Sequence, residues 1–183
     1  MSTDPPQQRI VTDPHAALRE PAKPVGAVTD EVRAIADRMV ELMFEAEGIG
    51  LAAPQVGLPL RLFVCHVPEA DERSATASPV TATAHPTVYI DPVITSPEGP
   101  ILPMDEGCLS LPDITGEVLR PEHVTIEATN LHGDRFTHTG EGLLARCWQH
   151  ELDHLDAVLI IDKMTQLSRL KNRSAIRRLE RSA

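Results

Sequence analysis

The apolar positions of the chain follow two spacings, one typical of helices and one typical of strands. Between Thr29, which can cap a helix, and Gly48, which can end one, apolar residues recur every three or four positions, and this predicts an N-terminal helix. A second helix is predicted from Gly142 past His154. Residues 163–183 predict a third helix, which is amphipathic and basic.

Shorter apolar runs predict strands. Residues 60–67 are apolar at nearly every position, as in a strand that is buried on both faces, and residues 87–90 predict a short strand. Residues 124–129 alternate apolar with polar side chains and lead through a turn into residues 135–138. This pattern predicts a hairpin with one solvent-exposed face. Residues 70–86, rich in Ala, Thr and Ser, predict a weakly ordered surface excursion. The combination favours an α+β fold.

The length of the chain restricts the number of domains, and its cysteine content indicates the redox state of its compartment. A chain of 183 residues is long enough for one self-sufficient core, so we expect a single domain over residues 1–183, with residues 1–9 flexible. Three cysteines scattered through the chain, and an N-terminus without a secretory pattern, favour free thiols in a reducing compartment. No apolar run approaches the roughly 20 residues that a membrane helix requires. We therefore expect a cytoplasmic protein without a membrane partner.

The charge of the chain is unevenly distributed. The formal net charge is −10, but residues 163–183 contain seven Lys or Arg and one Glu, so this tail carries +6 and the remaining residues carry −16. The acidic body argues against general DNA binding. The tail is the part of the chain that would meet an anionic partner, and ribosomal RNA near emerging polypeptides is one hypothesis. A solvated helix packed on its own domain is the equally weighted alternative.

One short motif indicates metal chemistry. In His150-Glu151-Leu152-Asp153-His154 the two histidines are four positions apart, so on a helix both imidazoles lie on one face and can share an ion. Glu151 lies beside them, within reach of a water on that ion. The alternative is that both histidines are ordinary surface or core residues and Glu151 belongs to a solvated face.

A catalytic site of this kind needs a third protein ligand and an open position for water. No histidine follows His154, and the acids after it are Asp156, Asp162 and Glu180. Cys108 is an attractive third ligand, because a thiolate binds borderline metals strongly. Taken as an isolated cysteine, it would more often be buried and inert.

Three segments in order carry a resemblance to a known family. Residues 48–55, 106–110 and 149–154 together resemble the three signature motifs of the peptide deformylases. The similarity extends from about Val11 to Asp162, and the tail is similar to that of bacterial members with a C-terminal helix. By this resemblance, antiparallel β-sheets wrap around a central metal-binding helix, with an N-terminal helix and a C-terminal amphipathic helix.

The resemblance also implies an activity and a metal. Members remove the N-formyl group from the initiator methionine of nascent polypeptides and release formate. One divalent ion is bound by the residues that match Cys108, His150 and His154; Fe2+ is the usual native ion, and Zn2+, Ni2+ or Co2+ can take its place. N-formylmethionyl nascent peptides are therefore the expected partners.

Roles for the remaining site residues follow from the same resemblance. Glu151 takes a proton from the attacking water and returns it to the leaving amine. The Gln55 amide and the Leu109 backbone N–H stabilise the negative charge that develops on the formyl oxygen. Glu106 and Arg120 match a structural ion pair.

The substrate-binding positions are less sharply indicated. Ile49, Gly50 and Leu51 match a segment that contacts the substrate backbone, and Cys147 matches the lining of the methionine pocket. A core role for Cys147 is equally open. Arg146 stands where many bacterial members have an apolar residue at the rim of that pocket, so it is expected to narrow or recharge the methionine site.

Two further positions depart from the usual family pattern. Many deformylases carry Arg at the position of Thr115, near the substrate entrance, so peptide anchoring is expected to be weaker. Ala157 replaces a usual glycine after the metal-binding helix; a positive φ there would cost on the order of 1 kcal/mol.

Three other functions remain open on the sequence alone. A zinc-dependent endopeptidase would use His150, Glu151 and His154 without Cys108. A non-catalytic paralogue would bind metal or formyl peptide without turnover, as the departures at Thr115 and Arg146 suggest. A third possibility keeps the chemistry but acts on a small formamide.

Overall fold

The computed structural model describes residues 9–181, so the predicted flexibility of residues 1–8 lies outside the described part of the chain. Four α-helices and five β-strands occur within that part. The helices are α1 (Asp30–Glu45), α2 (Gly142–Leu155), α3 (Ile160–Lys163) and α4 (Gln166–Glu180). The strands are β1 (Gly50–Ala52), β2 (Leu62–Cys65), β3 (Thr87–Gly107), β4 (Thr115–Thr129) and β5 (Arg135–Glu141).

The N-terminal helix α1 is confirmed, together with its cap. The Thr29 side chain accepts a hydrogen bond from the Val32 backbone N–H at 3.3 Å, which satisfies one of the unpaired donors of the first turn. The apolar residues that recur at helical spacing are buried against strands β1 and β2. Burial of this one face holds the helix on the sheet.

All five strands form one antiparallel sheet in the order β1-β2-β3-β4-β5. Strand β2 is buried at each of its four positions, as the unbroken apolar run predicted, although it is shorter than residues 60–67. The hairpin between β4 and β5 is confirmed, with Thr129 opposite Arg135 and His123 opposite Glu141. Val124, Ile126 and Ala128 face the core, while the polar side chains between them are half-buried.

The prediction of a short strand over residues 87–90 is wrong in length, because β3 continues to Gly107. The four prolines from Pro92 to Pro103 are residues that locally disfavour a strand. Three register shifts, the last between Glu98 and Ile101, absorb these breaks and let the strand bend while it stays paired with β4. Strand β4 likewise starts at Thr115, well before the predicted hairpin.

Helix α2 lies at the centre of the fold. Leu144, Trp148 and Leu155 on this helix pack with Phe63 and Tyr89 of the sheet in one buried cluster. The Trp148 indole N–H donates to the Tyr89 hydroxyl at 3.0 Å, so the ring nitrogen is satisfied inside the core. The predicted arrangement, with antiparallel strands around a central helix, is therefore confirmed.

The C-terminal helix is also confirmed, but with different bounds. Helix α4 begins at Gln166 rather than 163 and ends at Glu180, and residues 182–183 lie outside the described chain. A short helix, α3, precedes it and was not predicted. Ser168 of α4 accepts a hydrogen bond from the Glu117 backbone N–H at 3.0 Å, which fixes α4 on the start of β4.

Residues 70–86 form neither a long helix nor a strand of the sheet, as expected. The end of this segment is nevertheless anchored, because Thr83 is buried and its backbone N–H donates to Val67 at 2.8 Å. Val80 also exchanges backbone hydrogen bonds with Thr139 and Glu141 of β5. The weak order expected for the segment stays a prediction.

Candidate active site

The loop that joins β3 to β4 delivers Cys108 to the surface of α2. Cys108 is the first residue after β3, and the Gly107–Thr115 pair closes the strands on either side of this loop. The Leu111 backbone N–H donates to the Cys108 carbonyl at 2.9 Å, which gives the loop a tight turn. The thiol is half-buried and free.

Helix α2 presents His150 and His154 on the face that meets this loop. Their Nε2 atoms are 3.2 Å apart, and the Cys108 Sγ lies 3.3 Å from the Nε2 of His154. All three candidate ligand atoms lie within 4.8 Å of one another. The structure therefore brings together the three residues that the sequence predicted as metal ligands.

This arrangement fits a divalent ion. Ligands at about 2.0–2.3 Å from an ion in tetrahedral geometry are about 3.3–3.7 Å apart, close to the distances observed between these atoms. One thiolate and two imidazoles form a borderline-soft donor set, which suits Fe2+, Zn2+, Ni2+ or Co2+. Three protein ligands also leave a coordination position for water.

The electrostatics of the site favour positive charge at its centre. Burial alone would lower the pKa of His150, but hydrogen bonds to Cys108 and Glu106 raise the pKa to about 10. Burial lowers the pKa of His154, and the neighbouring His150 lowers it further. The negative groups that favour a proton on His150 equally favour a metal cation in its place.

Glu151 supplies a carboxylate beside the three ligands. It is 4% exposed, and its Oε2 atom has no hydrogen-bond partner among the described residues. Burial raises the pKa of Glu151 to about 7, although His150 opposes this shift. A carboxylate with a pKa near neutrality can both accept and return a proton, as general acid–base catalysis requires.

Gln55 is held with its amide nitrogen directed at the site. Its side-chain oxygen accepts a hydrogen bond from the Ala52 backbone N–H at 2.8 Å. The Nε2 atom consequently donates towards the Cys108 Sγ at 3.6 Å and the Ser110 hydroxyl at 3.3 Å. Leu109 lies beside Cys108 and lines the same cavity. Both predicted hydrogen-bond donors are thus next to the ligand cluster.

Glu106 connects the ligands to the hairpin. Its carboxylate accepts two hydrogen bonds from Arg120, at 2.6 and 2.8 Å, which gives the predicted ion pair a bidentate geometry. The His150 Nδ1 lies 3.0 Å from the same carboxylate, so this contact orients the imidazole with Nε2 towards the other ligands. Burial alone would raise the pKa of Glu106, but the hydrogen bonds from Arg120 and His150 hold it well below its usual range.

Arg146 completes this buried network. Its guanidinium donates to Glu106 at 2.7 Å, to the Val118 carbonyl at 3.0 Å and to the Leu102 carbonyl at 2.7 Å. The residue lines the cavity, as predicted, but its charge is paired with Glu106. The structure therefore does not support the expectation that Arg146 recharges the methionine site.

A cavity of about 470 Å³ opens above the ligand cluster. Ile49, Gly50 and Cys147 line it, in agreement with their predicted contact with substrate. Leu51 does not line it, because its side chain is fully buried in the core beneath α1. Cys147 also lies 3.2 Å from Cys65, sulfur to sulfur, so it has both the core role and the lining role that the sequence left open.

The departures at Thr115 and Ala157 have clear structural settings. Thr115 is exposed and lines the cavity, as a residue near the substrate entrance would. Ala157 has a φ of 60°, which confirms the left-handed conformation that the usual glycine would adopt without strain.

Two residues of the site were missed from the sequence. Ser110 is fully buried and accepts a hydrogen bond from Gln55. Asp153 accepts hydrogen bonds from Arg120 at 2.7 Å and from Lys163 at 2.6 Å, and so extends the network to α3. Both lie inside motifs in which neighbouring residues were assigned the chemical roles. Their positions in those motifs did not by themselves indicate a role.

Comparisons with known proteins agree with this geometry. The family model described as polypeptide deformylase matches residues 7–170. A peptide deformylase of Acidobacterium capsulatum is 43% identical over 176 residues, which cover 94% of this chain and 95% of that protein. A peptide deformylase of Maricaulis maris is 36% identical over 175 residues, covering 96% and 95% of the two chains.

Solved structures give the same result. The crystal structure of peptide deformylase from Ehrlichia chaffeensis has a TM-score of 0.85 at 30% identity and covers 96% of each chain. A peptide deformylase from Synechococcus elongatus in complex with actinonin has a TM-score of 0.80 at 35% identity, covering 97% of this chain and 87% of the other.

Proposed function

Because this chain belongs to the polypeptide deformylase family, we propose that it removes the N-formyl group from the initiator methionine of nascent polypeptides and releases formate. One observation carries the proposal. Three ligand atoms converge beside Glu151, whose buried carboxylate oxygen has no other partner among the described residues. The family match favours this activity over an endopeptidase or a binding protein without turnover.

Cys108, His150 and His154 are the proposed ligands of one divalent ion. Fe2+ is the proposed native ion, and Zn2+, Ni2+ or Co2+ would fit the same donor set. When bound, such an ion supplies Lewis acidity, which makes water acidic enough to provide hydroxide near neutral pH. The contact between His150 and Glu106 keeps one ligand oriented for this ion.

Glu151 is the proposed general base and general acid. Its unpaired Oε2 accepts the proton of the attacking water and then gives it to the leaving amine, so that the C–N bond can break. The Gln55 Nε2 and the Leu109 N–H donate to the formyl oxygen as negative charge develops on it. Since the Ala52 N–H fixes the Gln55 amide, this donor needs no reorganisation during the reaction.

The remaining site residues hold the substrate in this proposal. Ile49 and Gly50 border the cavity next to Glu151, where they can contact the peptide backbone. Cys147 and Arg146 form part of the wall that receives the methionine side chain. Leu51 contributes through the backbone of β1, because its side chain lies in the core.

The proposed activity is tested by formate release from formyl-Met-Ala-Ser. Protein loaded anaerobically with Fe2+ should turn over this peptide, and Glu151→Gln should reduce kcat by several orders of magnitude while the variant retains its metal. The non-formylated peptide Met-Ala-Ser is the control for formate from other sources. No release by a folded, iron-loaded sample would contradict the proposed function.

We further propose that residues 1–183 act as one domain in the cytoplasm. Cys65, Cys108 and Cys147 are free thiols, which suits a reducing compartment. Among the described residues, no helix has the length and apolarity needed to cross a membrane. Cell fractionation followed by immunoblotting tests the location, and recovery with the membrane fraction would contradict it.

The basic tail carries a separate proposal, contact with ribosomal RNA. Within and just after α4, six cationic side chains are exposed: Arg169, Lys171, Arg173, Arg177, Arg178 and Arg181. Arg177→Gln combined with Arg178→Gln should weaken ribosome cosedimentation and reduce its salt dependence. Lys23→Gln combined with Arg135→Gln removes the same charge elsewhere on the surface. Equal loss in both double variants would contradict a specific role for the tail.

A further inference from the structure

We propose that Cys65 and Cys147 form a reversible disulfide when the protein meets a hydroperoxide, and that this bridge lowers the activity of the adjacent site. The two thiols are here called the dithiol pair. The effect on activity rests on the proposed deformylase function, whereas formation of the bridge does not depend on it.

The dithiol pair joins strand β2 to the central helix. Cys65 is the last residue of β2 and Cys147 lies in the second turn of α2. Their sulfur atoms are 3.2 Å apart, although 82 residues separate them in the chain. A disulfide has an S–S distance of about 2.05 Å, so the two sulfurs need to approach by about 1 Å. The bridge therefore requires a small shift of α2 on β2 and no new pairing of elements.

Cys147 is the member of the pair that an oxidant can reach. It lines the active-site cavity, whereas Cys65 is fully buried behind it. The cavity has a volume of about 470 Å³, many times the roughly 30 Å³ that a water molecule occupies, so hydrogen peroxide can enter it. The third thiol of the chain, Cys108, is a proposed metal ligand, and a bound ion would occupy its sulfur.

The chemistry balances with peroxide as the one co-reactant. The Cys147 sulfur attacks one peroxide oxygen, the O–O bond breaks, and water leaves as Cys147 becomes a sulfenic acid. The Cys65 sulfur then attacks the Cys147 sulfur and the S–O bond breaks. The hydroxyl leaves with the Cys65 proton as a second water. Two thiols and one hydrogen peroxide thus give one disulfide and two waters.

The surroundings of Cys147 keep the dithiol pair reduced until exposure to oxidant is sustained. The contact with Cys65, together with burial, raises the pKa of the Cys147 thiol. Because the thiolate is the reactive form, this raised pKa slows the first step at low peroxide concentration. Transient disulfides that respond to oxidant are the kind that occurs in reducing compartments.

The bridge would disturb the wall of the cavity beside Glu151. The Cys147 thiol donates a hydrogen bond to the Ile49 carbonyl at 3.5 Å, and a disulfide sulfur has no proton to donate. Gly50 lies opposite Cys65 in the pairing of β1 with β2. Its Cα also packs closely against Cys147 and Glu151. Drawing the Cys147 sulfur towards β2 therefore shifts the contacts that support Glu151, and ångström-scale shifts of this kind reduce activity strongly.

The test treats Ni2+-loaded protein with hydrogen peroxide, because Fe2+ itself reacts with peroxide. We expect the intact protein to lose the mass of two hydrogen atoms, and peptide mapping without reduction to join the peptides that contain Cys65 and Cys147. In the same sample, kcat/KM for formyl-Met-Ala-Ser should fall at least about tenfold and return after treatment with dithiothreitol. Absence of a bridge, or a bridge to Cys108, would overturn the inference.

Cys65→Ala assigns the loss of activity to the bridge. This variant lacks the second thiol, so peroxide treatment that inactivates the original protein should leave its kcat/KM within about twofold of the untreated variant. Val64→Ala is the matched control, because it shortens a neighbouring buried side chain of β2 and retains both thiols. It should lose activity on oxidation as the original protein does. Equal loss in Cys65→Ala would contradict the role of the bridge.

Failure of this inference is distinguishable from failure of the proposed function. If reduced, Ni2+-loaded protein releases no formate, the proposed function fails, and the peptide map still decides whether the bridge forms. A bridge that leaves kcat/KM unchanged would overturn the proposed regulation and leave the deformylase function intact.

Discussion

Gly50 is a position where one added carbon would disturb the chemistry. A Cβ built at Gly50 would collide with the Glu151 carboxylate and would lie 2.8 Å from the Cys147 Sγ. Gly50→Ala should therefore push Glu151 out of place and lower kcat/KM by about a hundredfold, the usual result of an ångström-scale misplacement.

This effect is separable from loss of the fold. Metal content and the far-UV circular dichroism spectrum of Gly50→Ala should match the original protein, since the collision involves side chains at the cavity wall. Activity within threefold of the original would show that Glu151 and Gly50 are not in contact during turnover.

Replacement of Ala157 by glycine is expected to increase stability. It follows helix α2 with a φ of 60°, a conformation that glycine adopts without steric cost. Ala157→Gly should raise the free energy of unfolding by about 1 kcal/mol and the melting temperature by about 2–4 °C. Calorimetry measures both. Ala175→Gly, inside α4, should lower stability by about 1 kcal/mol or more, and a loss of stability at both positions would contradict the argument.

At the scale of elements, the Glu106 carboxylate joins the β3–β4 hairpin to α2. Glu106→Gln would leave Arg146 buried without its negative partner and Arg120 with Asp153 as its one remaining carboxylate partner among the described residues. We expect the free energy of unfolding to fall by about 3–5 kcal/mol, which lowers the melting temperature by roughly 10 °C. Thermal unfolding with intact metal is the measurement.

An exposed pair in the same network provides the comparison. Lys163 lies 2.6 Å from Asp153, but its side chain is 44% exposed. Lys163→Gln should change the free energy of unfolding by less than about 1 kcal/mol. A similar fall in the free energy of unfolding for Glu106→Gln and Lys163→Gln would mean that burial of the Glu106 ion pairs contributes little to stability.

The sequence predicted those elements whose periodicity is regular. Helices α1 and α2, strand β2 and the β4–β5 hairpin each repeat one spacing, so the pattern located them. Strand β3 was cut short because its prolines argue locally against a strand, and pairing with β4 overrides that preference only in three dimensions.

The site residues also differ in whether a local sequence pattern predicted them. The spacing of His150 and His154 indicated a metal site, and thiolate chemistry suggested Cys108 as the third ligand. The family resemblance supported Cys108 and supplied Gln55. Asp153 and Ser110 were not predicted, because Arg120 and Gln55, which donate hydrogen bonds to them, are 33 and 55 residues away in the chain. No local pattern contains that information.

At the scale of the whole molecule, the ligand cluster joins distant parts of the chain. Cys108 and His154 are 46 residues apart in sequence and belong to different elements. An ion that binds the folded state a thousandfold below its working concentration stabilises that state by about 4 kcal/mol. Removal of metal with a chelator should therefore lower the melting temperature by roughly 10 °C, and Fe2+ should restore it.

Cys108→Ala is the matched variant for this measurement. Its melting temperature should respond little to the chelator, because the ion has lost one of its three ligands. Equal responses in the variant and the original protein would place the stabilising ion elsewhere.

The ion pair between Glu106 and Arg120 also bears on how the hairpin finds its alignment. Leu102 lies opposite Arg120 and Glu106 opposite Gly116, so both charges point to the same side of the two strands. A slip of one residue would turn one of the two charges to the opposite side of the strands and break the bidentate pair. The pair therefore favours the observed register of β3 on β4 over registers that are shifted by one residue. We therefore expect the hairpin to tolerate the insertion of a single residue at the bulge near Glu98, whereas an insertion between Leu102 and Glu106 would separate Glu106 from Arg120.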